Sequence, residues 1–150
     1  MAEVFRHQHR VTYAECTVGN HIYYARYLDL LEEARGEFFR SLGTTVLAWQ
    51  ERSVIFPVIE VRLRYQSPAR YDDILTITVV VSTAERVRLN FAYRIENQSG
   101  VKILEAETFH VCASLNDKPQ RLPPELITSL KPYLRPVEPT MEAVAAVRPS

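Results

Sequence analysis

The sequence predicts an α+β domain in which an antiparallel sheet of about five strands wraps around one long central helix. One segment of roughly twenty residues repeats its apolar side chains with helical spacing. One strand-like segment precedes it, and four strand-like segments follow it at short intervals. A single helix with a wide apolar stripe is sufficient to cover one face of such a sheet.

The first elements are a strand, a turn and the long helix. Residues 4–13 carry β-branched and aromatic side chains separated by polar ones, which predicts a strand, and Gly19-Asn20 interrupts it. A helix is predicted from Ile22 to Leu42, and Gly43 is placed to end it. The apolar residues recur at i, i+3, i+4 and i+7, and they are Tyr27, Leu30, Leu31, Ala34, Phe38 and Leu42. The charged residues on the opposite, solvent side are Asp29, Glu33 and Arg40.

Four strand candidates follow an irregular segment, and turn residues separate them. They are Val54–Tyr65, Ile74–Ser82, Val87–Ile95 and Val101–Leu115. Pro57 marks a strand entrance or a bulge, and residues 96–100 form a hairpin connection, so we expect consecutive hairpins in an antiparallel sheet. A short helix is predicted from Arg121 to about Leu130. We expect residues 1–134 to form one domain and the Pro-rich residues 135–150 to form a tail.

The composition excludes several classes of protein. Eighteen basic and eighteen acidic residues cancel, so the strongly basic surface of a nucleic-acid or anionic-membrane binder is missing. Cys16 and Cys112 form neither a CxxC motif nor a zinc-finger spacing, which indicates no metal site and no disulfide framework. No stretch approaches the ~18 apolar residues of a membrane span, and the first residues do not read as a signal peptide. We therefore expect a cytoplasmic protein that binds neither nucleic acid nor membrane.

The candidate site is the point where the polar turn opens into the long helix. The turn reads Thr17-Val-Gly-Asn-His21. A helix N-terminus presents unpaired backbone N–H groups and a partial positive charge. A loop that delivers a substrate carbonyl to this point therefore gives a developing oxyanion two favourable interactions.

Three segments around this turn carry a resemblance. They are Tyr13-Ala-Glu-Cys-Thr17, His21-Ile-Tyr-Tyr-Ala-Arg-Tyr27 and Glu32-Glu-Ala-Arg35. Together they resemble the signature of the hot-dog-fold acyl-CoA thioesterases of the 4-hydroxybenzoyl-CoA thioesterase type. The positions Tyr65, Pro68 and Asp73 are similar to the turn after that family's second strand, and the resemblance covers roughly residues 4–130.

The resemblance implies hydrolysis of an acyl thioester at a site between two subunits of a homodimer or homotetramer. It places the oxyanion donor at the backbone N–H of Tyr24. The substrate carries coenzyme A or the phosphopantetheine of an acyl carrier protein, and no metal or redox cofactor is required. The family usually has an Asp, as nucleophile or as base for water, where this chain has Thr17. A hydroxyl needs a partner base to act in either role.

Three substitutes for that carboxylate follow from the sequence. At ~100° per residue, Glu32 and Arg35 lie on the border of the apolar stripe, with Glu32 as base for water and Arg35 as a group that orients it or binds the acyl group. Alternatively, these two side chains only pair with each other. His21 offers an imidazole beside the helix start, although such a residue also serves in packing. Asn20 with Thr17 positions a water by hydrogen bonds alone, an arrangement that resembles some hot-dog thioesterases of polyketide pathways.

Several arginines are candidates for binding the coenzyme A nucleotide, because guanidinium groups pair well with phosphate. They are Arg62, Arg64, Arg70, Arg86 and Arg88. Strand alternation puts Arg62 and Arg64 on one face, and likewise Arg86 and Arg88. Ordinary solvent-facing strand arginines would show the same pattern.

The sequence therefore predicts a thioesterase that acts on an acyl-CoA or acyl-carrier-protein thioester at a dimer interface. Two alternatives stay open. The first is a polyketide or fatty-acyl carrier-protein thioesterase that works by hydrogen bonding without a carboxylate nucleophile. The second is a non-catalytic hot-dog protein that binds acyl thioesters.

Overall fold

A computed structural model describes residues 3–135 and contains a five-stranded antiparallel sheet with a long helix packed against it, which confirms the predicted fold class. The strands of this sheet are β1 (Phe5–Arg10), β4 (Val58–Tyr65), β5 (Ile74–Glu85), β6 (Arg88–Glu96) and β7 (Lys102–Val111). A separate hairpin consists of β2 (Cys16–Thr17) and β3 (His21–Ile22). The helices are α1 (Arg26–Ser41), α2 (Val46–Gln50) and α3 (Pro124–Leu130). Of the predicted tail at 135–150, only Arg135 lies within the described residues.

The strands are ordered β1-β5-β6-β7-β4 across the sheet. Hairpins connect β5, β6 and β7, as predicted, but β4 forms no hairpin with β5 and pairs with β7 instead. The reason is that β1 already occupies that side of β5, with Phe5 opposite Val79 and Arg10 opposite Ile74. Residues 66–73 therefore carry the chain across the sheet, and β1 and β4 are left as its two edge strands.

The long helix α1 packs its predicted apolar stripe against this sheet. Phe38 is fully buried, and its ring centroid lies 6.1 Å from that of Phe91 on β6 and 5.5 Å from that of Phe5 on β1. Burying a side chain of this size stabilises the fold by about 2 to 3 kcal/mol. The helix ends where predicted, because Gly43 adopts a φ of +83° and its N–H donates to Arg40 O at 3.0 Å.

The start of α1 differs from the prediction. The helix begins at Arg26 and not at Ile22. Ile22 belongs to β3 and its N–H donates to Ala69 O at 2.9 Å, while Tyr23 N–H donates to Glu15 O at 3.0 Å. These bonds keep the chain non-helical where apolar spacing alone predicts helix. A turn at residues 23–25 therefore precedes α1.

The short helix α2 lies in the segment that the sequence predicts to be irregular. Thr45 caps it, because its Oγ1 accepts a hydrogen bond from Ala48 N–H at 2.9 Å. Five residues are too few to show a helical repeat, so periodicity does not detect the element. The predicted helix after Arg121 is confirmed as α3, which begins at Pro124.

Two histidines and two glutamates join β1 to α1 and to the turn before β2. Nε2 of His7 lies 2.6 Å from a carboxylate oxygen of Glu33, and Nδ1 of His9 lies 3.1 Å from the same oxygen. The other ring nitrogen of His9 lies 2.9 Å from Glu15. His9 therefore bridges Glu33 on α1 and Glu15 before β2. Glu33 is exposed, as predicted, and it also ties the helix to the sheet.

Candidate active site

The turn between β2 and β3 is held by the 66–73 connection. Gly19 and Asn20 adopt φ angles of +92° and +58°, which close the turn. A guanidinium nitrogen of Arg70 donates to the carbonyls of Gly19 and Asn20 at 3.2 and 3.3 Å. The side-chain oxygen of Asn20 accepts the N–H of Tyr71 at 3.2 Å. Thr17 and His21 face each other as the paired residues at the base of this turn, so Thr17, Asn20 and His21 lie together as predicted.

Tyr24 lies in the turn immediately before α1. Its N–H has no hydrogen-bond acceptor among residues 3–135, which suits the predicted role as oxyanion donor. Its carbonyl is occupied, because the Tyr65 hydroxyl donates to it at 2.7 Å. This bond attaches the turn to the edge strand β4.

A cavity of about 470 Å³ lies between α1 and the start of β4. Apolar and aromatic side chains form most of its wall, while Glu32, Arg35 and His110 supply the ionisable groups. Gly36 forms part of the helix wall, and a Cβ added there would meet no atom within 4 Å. The remaining lining residues are Phe39, Val46, Phe56, Pro57, Val58 and Phe91.

Glu32 and Arg35 both line this cavity, but they do not pair with each other. No ion pair or hydrogen bond joins them anywhere in the part of the chain that the structure describes, so the interpretation as a mutual pair is wrong. A guanidinium nitrogen of Arg35 donates to the Tyr93 hydroxyl at 3.0 Å instead. The Glu32 carboxylate is exposed and makes no hydrogen bond to another side chain within residues 3–135.

Arg35 begins a series of hydrogen bonds that runs into the protein, which we call the buried hydrogen-bond chain. Its members are Arg35, Tyr93, Thr108, His110 and the carbonyl of Phe56. The Tyr93 hydroxyl lies 2.6 Å from Thr108 Oγ1, and that oxygen lies 2.9 Å from His110 Nε2. Nδ1 of His110 lies 2.9 Å from Phe56 O.

The surroundings of the buried hydrogen-bond chain keep His110 and Tyr93 neutral at neutral pH. Burial lowers the pKa of His110 to about 4, and the nearby Arg35 charge adds to that shift against the opposing bond to Phe56. Burial raises the pKa of Tyr93 despite the stabilising charge of Arg35. At neutral pH the Arg35 guanidinium therefore carries the only charge in the buried hydrogen-bond chain.

The predicted site residues fall into two groups. Thr17, Asn20, His21 and Tyr24 lie at the turn before α1, whereas Glu32 and Arg35 lie further along the helix. At 1.5 Å per residue, the first residue of α1 and Glu32 are about 9 Å apart along the helix axis. The two groups are therefore separated along the helix axis.

The arginines of β4 do not face the cavity. Arg62 and Arg64 alternate along the strand with Leu63, which packs against the core, so they point away from α1. Arg62 donates to Glu60 at 2.9 Å and lies 4.8 Å from the ring centroid of Phe109. Their binding to coenzyme A stays a prediction.

The other candidate arginines are equally dispersed. Arg70 anchors the turn at Gly19, and Arg88 is exposed at the start of β6. Arg86 lies in the turn before β6, with a φ of +56°. The five candidate arginines therefore form no single cluster.

Sequence reasoning missed Tyr93, Thr108 and His110. A signal for two of them was available, because Thr108 and His110 occupy alternate positions on β7 whose side chains are buried. Buried polar groups need hydrogen-bond partners, so such a pair indicates a network.

Residues 3–135 contain neither a candidate metal site nor a candidate membrane-spanning helix. No group of three or more His, Cys, Asp and Glu side chains could hold a metal ion. No helix is both long and apolar enough to cross a bilayer.

Comparison with known proteins relates the chain to one family. The model of the thioesterase-like superfamily matches residues 11–130. The acyl-CoA thioester hydrolase YbgC of Escherichia coli O157:H7 is 33% identical over 129 residues, which cover 85% of this chain and 96% of that protein. The 1,4-dihydroxy-2-naphthoyl-CoA hydrolase of Thermosynechococcus vestitus is 26% identical over 78% of this chain and 80% of its own length.

Solved structures agree with the fold. The 1,4-dihydroxy-2-naphthoyl-CoA thioesterase Slr0204 from Synechocystis superimposes with a TM-score of 0.80 at 21% identity, and the match covers 86% of this chain and 96% of that one. The hypothetical protein TT1821 from Thermus thermophilus has a TM-score of 0.80 at 27% identity, covering 85% of this chain and 98% of its own. The fold is therefore the hot-dog fold that the sequence predicts.

Proposed function

The chain belongs to the thioesterase-like superfamily and is a thioester hydrolase, and we propose that it hydrolyses acyl-CoA thioesters in the cavity between α1 and β4. The observation that carries the proposal is the presence of an unpaired carboxylate, Glu32, on the wall of a largely apolar cavity. Apolar walls suit an acyl chain, and a carboxylate suits the activation of water.

The proposed reaction uses Glu32 as general base. Water attacks the thioester carbonyl while Glu32 accepts its proton, and the Tyr24 N–H stabilises the oxyanion that forms. The carbon–sulfur bond then breaks, and the departing thiolate takes up the proton. Thr17 supplies no carboxylate, so the loop Asp of the 4-hydroxybenzoyl-CoA type has no counterpart in this mechanism.

We further propose that two protomers share each site. The separation of about 9 Å along α1 is removed if the Tyr24 N–H of one protomer meets the Glu32 of the other. A second copy fits the edge strand β4, because Ile59, Val61 and Tyr65 are exposed there and an unpaired strand edge favours association. Homodimer formation through β4 is thus part of the proposed function.

A panel of thioesters tests the activity. Short, medium, long and aryl acyl-CoA substrates are assayed by thiol release beside one acyl-carrier-protein thioester. We expect turnover of at least one acyl-CoA, and a loss in kcat of about 10²-fold in Glu32→Gln. Asp29→Asn, on the solvent side of the same helix, is the matched control.

The outcomes separate the alternative functions. If Thr17→Ala or Asn20→Ala is damaging and Glu32→Gln is silent, the hydrogen-bonding mechanism replaces the one proposed. Turnover of the carrier-protein substrate alone would favour the carrier-protein thioesterase. Binding of a non-hydrolysable analogue without any turnover would leave only the acyl-thioester-binding protein.

Mixed dimers test the shared site. Tyr24→Pro removes the N–H, Glu32→Gln removes the base, and each homodimer is expected to be inactive. If the site is shared, random mixing restores one intact site in half of the dimers, or about a quarter of wild-type activity. No recovery in dimers that have exchanged subunits would mean that both groups act within one protomer.

Light scattering tests the interface. Val61→Glu should convert the dimer to a monomer, whereas Gln8→Glu on the opposite edge strand should not. A dimer that persists in Val61→Glu would exclude β4 as the interface.

A further inference from the structure

The buried hydrogen-bond chain has a defined direction. Phe56 contributes a backbone carbonyl, which only accepts, so Nδ1 of His110 must carry the hydrogen. A neutral imidazole has one hydrogen, so Nε2 accepts from the Thr108 hydroxyl. Thr108 has then used its only hydrogen, and the Tyr93 hydroxyl donates to it.

The same reasoning fixes the direction of the hydrogen bond between Arg35 and Tyr93, at the cavity end of the buried hydrogen-bond chain. Because Tyr93 donates to Thr108, its oxygen is free to accept, and it accepts from Arg35 at 3.0 Å. Each hydroxyl and the imidazole donate once and accept once along the chain. The direction is compatible with Arg35, since a guanidinium can only donate.

This direction determines what the cavity offers to a ligand. Both nitrogens of His110 are occupied within the protein, although His110 lines the cavity. Arg35 donates one hydrogen bond to Tyr93 and makes no ion pair within residues 3–135. Its remaining N–H groups are therefore available, so Arg35 presents hydrogen-bond donors to the cavity, whereas the Glu32 carboxylate on the same helix is an acceptor.

The Tyr93 hydroxyl that holds Arg35 belongs to a packed side chain. Tyr93 is buried, and its ring lies 6.4 Å from that of the buried Phe91. An Arg side chain otherwise has several rotatable bonds, and ordering it costs entropy when a ligand binds. Attachment to a buried hydroxyl removes part of that cost before the ligand arrives.

We propose that the buried hydrogen-bond chain positions Arg35 as a fixed donor to an oxygen atom on the acyl group. The cavity then favours acyl thioesters with a hydroxyl, keto or carboxylate oxygen over alkyl or aryl analogues of the same shape. Tyr93, Thr108 and His110 are positioning residues that act through Arg35. The inference rests on the proposed function, because it takes the cavity to be the acyl site.

Matched substrates and matched variants test the proposal. Hexanoyl-CoA is compared with hydroxyhexanoyl-CoA isomers that carry the hydroxyl at each carbon in turn, and phenylacetyl-CoA with its ring-hydroxylated analogues. The readout is the ratio of kcat/KM between the oxygenated substrate and its plain partner. We expect the best isomer to be preferred by about tenfold to a hundredfold, as for a hydrogen bond to a charged group.

Substitutions of Thr108 and Tyr93 test the role of the buried hydrogen-bond chain. Thr108→Val removes the hydroxyl at nearly constant volume, whereas Thr108→Ser retains it. We expect the preference to fall to about one in Thr108→Val and in Tyr93→Phe, and to survive in Thr108→Ser. Equal preferences in Thr108→Val and Thr108→Ser would overturn the proposal, because packing is then the only role of this residue.

Failure of the inference is distinguishable from failure of the proposed function. If the wild type prefers no oxygenated substrate yet Glu32→Gln is inactive, the inference fails and the hydrolysis mechanism stands. If no thioester is hydrolysed, the same ratio is measured as affinities for non-hydrolysable thioether analogues by calorimetry. A preference that is lost in Thr108→Val supports the inference, and equal affinities refute it.

Discussion

The protonation of His110 should make the stability of this protein depend on pH in a specific window. Its pKa is about 4 in the folded protein, because burial disfavours the imidazolium, against about 6.5 when unfolded. Between these values the unfolded chain binds a proton that the folded chain excludes. Stability is therefore complete above pH 6.5 and falls as the pH drops towards 4.

The size of the stability loss follows from the pKa shift of His110. At about 1.36 kcal/mol per pKa unit, lowering the pH from 7 to 5 should cost about 2 kcal/mol of unfolding free energy. The perturbation is His110→Gln, whose amide does not titrate and can both donate and accept. Urea unfolding of the wild type and the variant is measured at pH 7, 6 and 5.

The difference between the two proteins is the decisive quantity, since other titrating groups cancel in the subtraction. We expect the variant to be less stable at pH 7 and to lose about 2 kcal/mol less than the wild type between pH 7 and 5. His21→Gln, which changes an imidazole outside the buried chain, is the control. Parallel pH dependences for the wild type and His110→Gln would refute the reasoning.

Four further predictions concern the loop, the histidine cluster and the core. Thr17→Asp, assayed on aryl-CoA, should raise kcat if the position retains the geometry of the family's loop carboxylate, and no gain would show that it does not. Burial raises the pKa of Glu15, but hydrogen bonds from Thr12 and His9 outweigh it, so the net pKa is lowered and stability is lost as the pH falls through it. Glu15→Gln should therefore destabilise the protein at neutral pH and have little effect in acid, as urea unfolding at both pH values will show. Phe38→Ala should cost about 3 to 5 kcal/mol in the same assay. Gly43→Ala should cost about 1 kcal/mol, because a φ of +83° is strained for alanine even though its Cβ meets no atom within 4 Å.

The elements predicted most accurately are those whose signal is local. The apolar repeat of α1, its stop at Gly43 and the hairpin at residues 96–100 each depend on neighbours in the sequence, and each is present. The turn at Thr17 to His21 was likewise placed correctly.

The features that were missed depend on contacts between distant residues. The β4–β5 crossover follows from the pairing of β1 with β5, and the late start of α1 follows from Ile22 bonding to Ala69. The sequence leaves two roles open for Arg35, a pair with Glu32 three residues away or a group that orients the water or binds the acyl group, and neither predicts its bond to Tyr93, fifty-eight residues along the chain. Local spacing carries no information about such partners.

Gly36 has a consequence for how this site could diversify. It lines the cavity between α1 and β4 from the middle of α1, and a Cβ added there would meet no atom within 4 Å. A larger residue at this position could shorten the cavity while Glu32 and Arg35, on the same helix, keep their places. The helix therefore offers a position at which the length of this cavity can be adjusted separately from its ionisable groups.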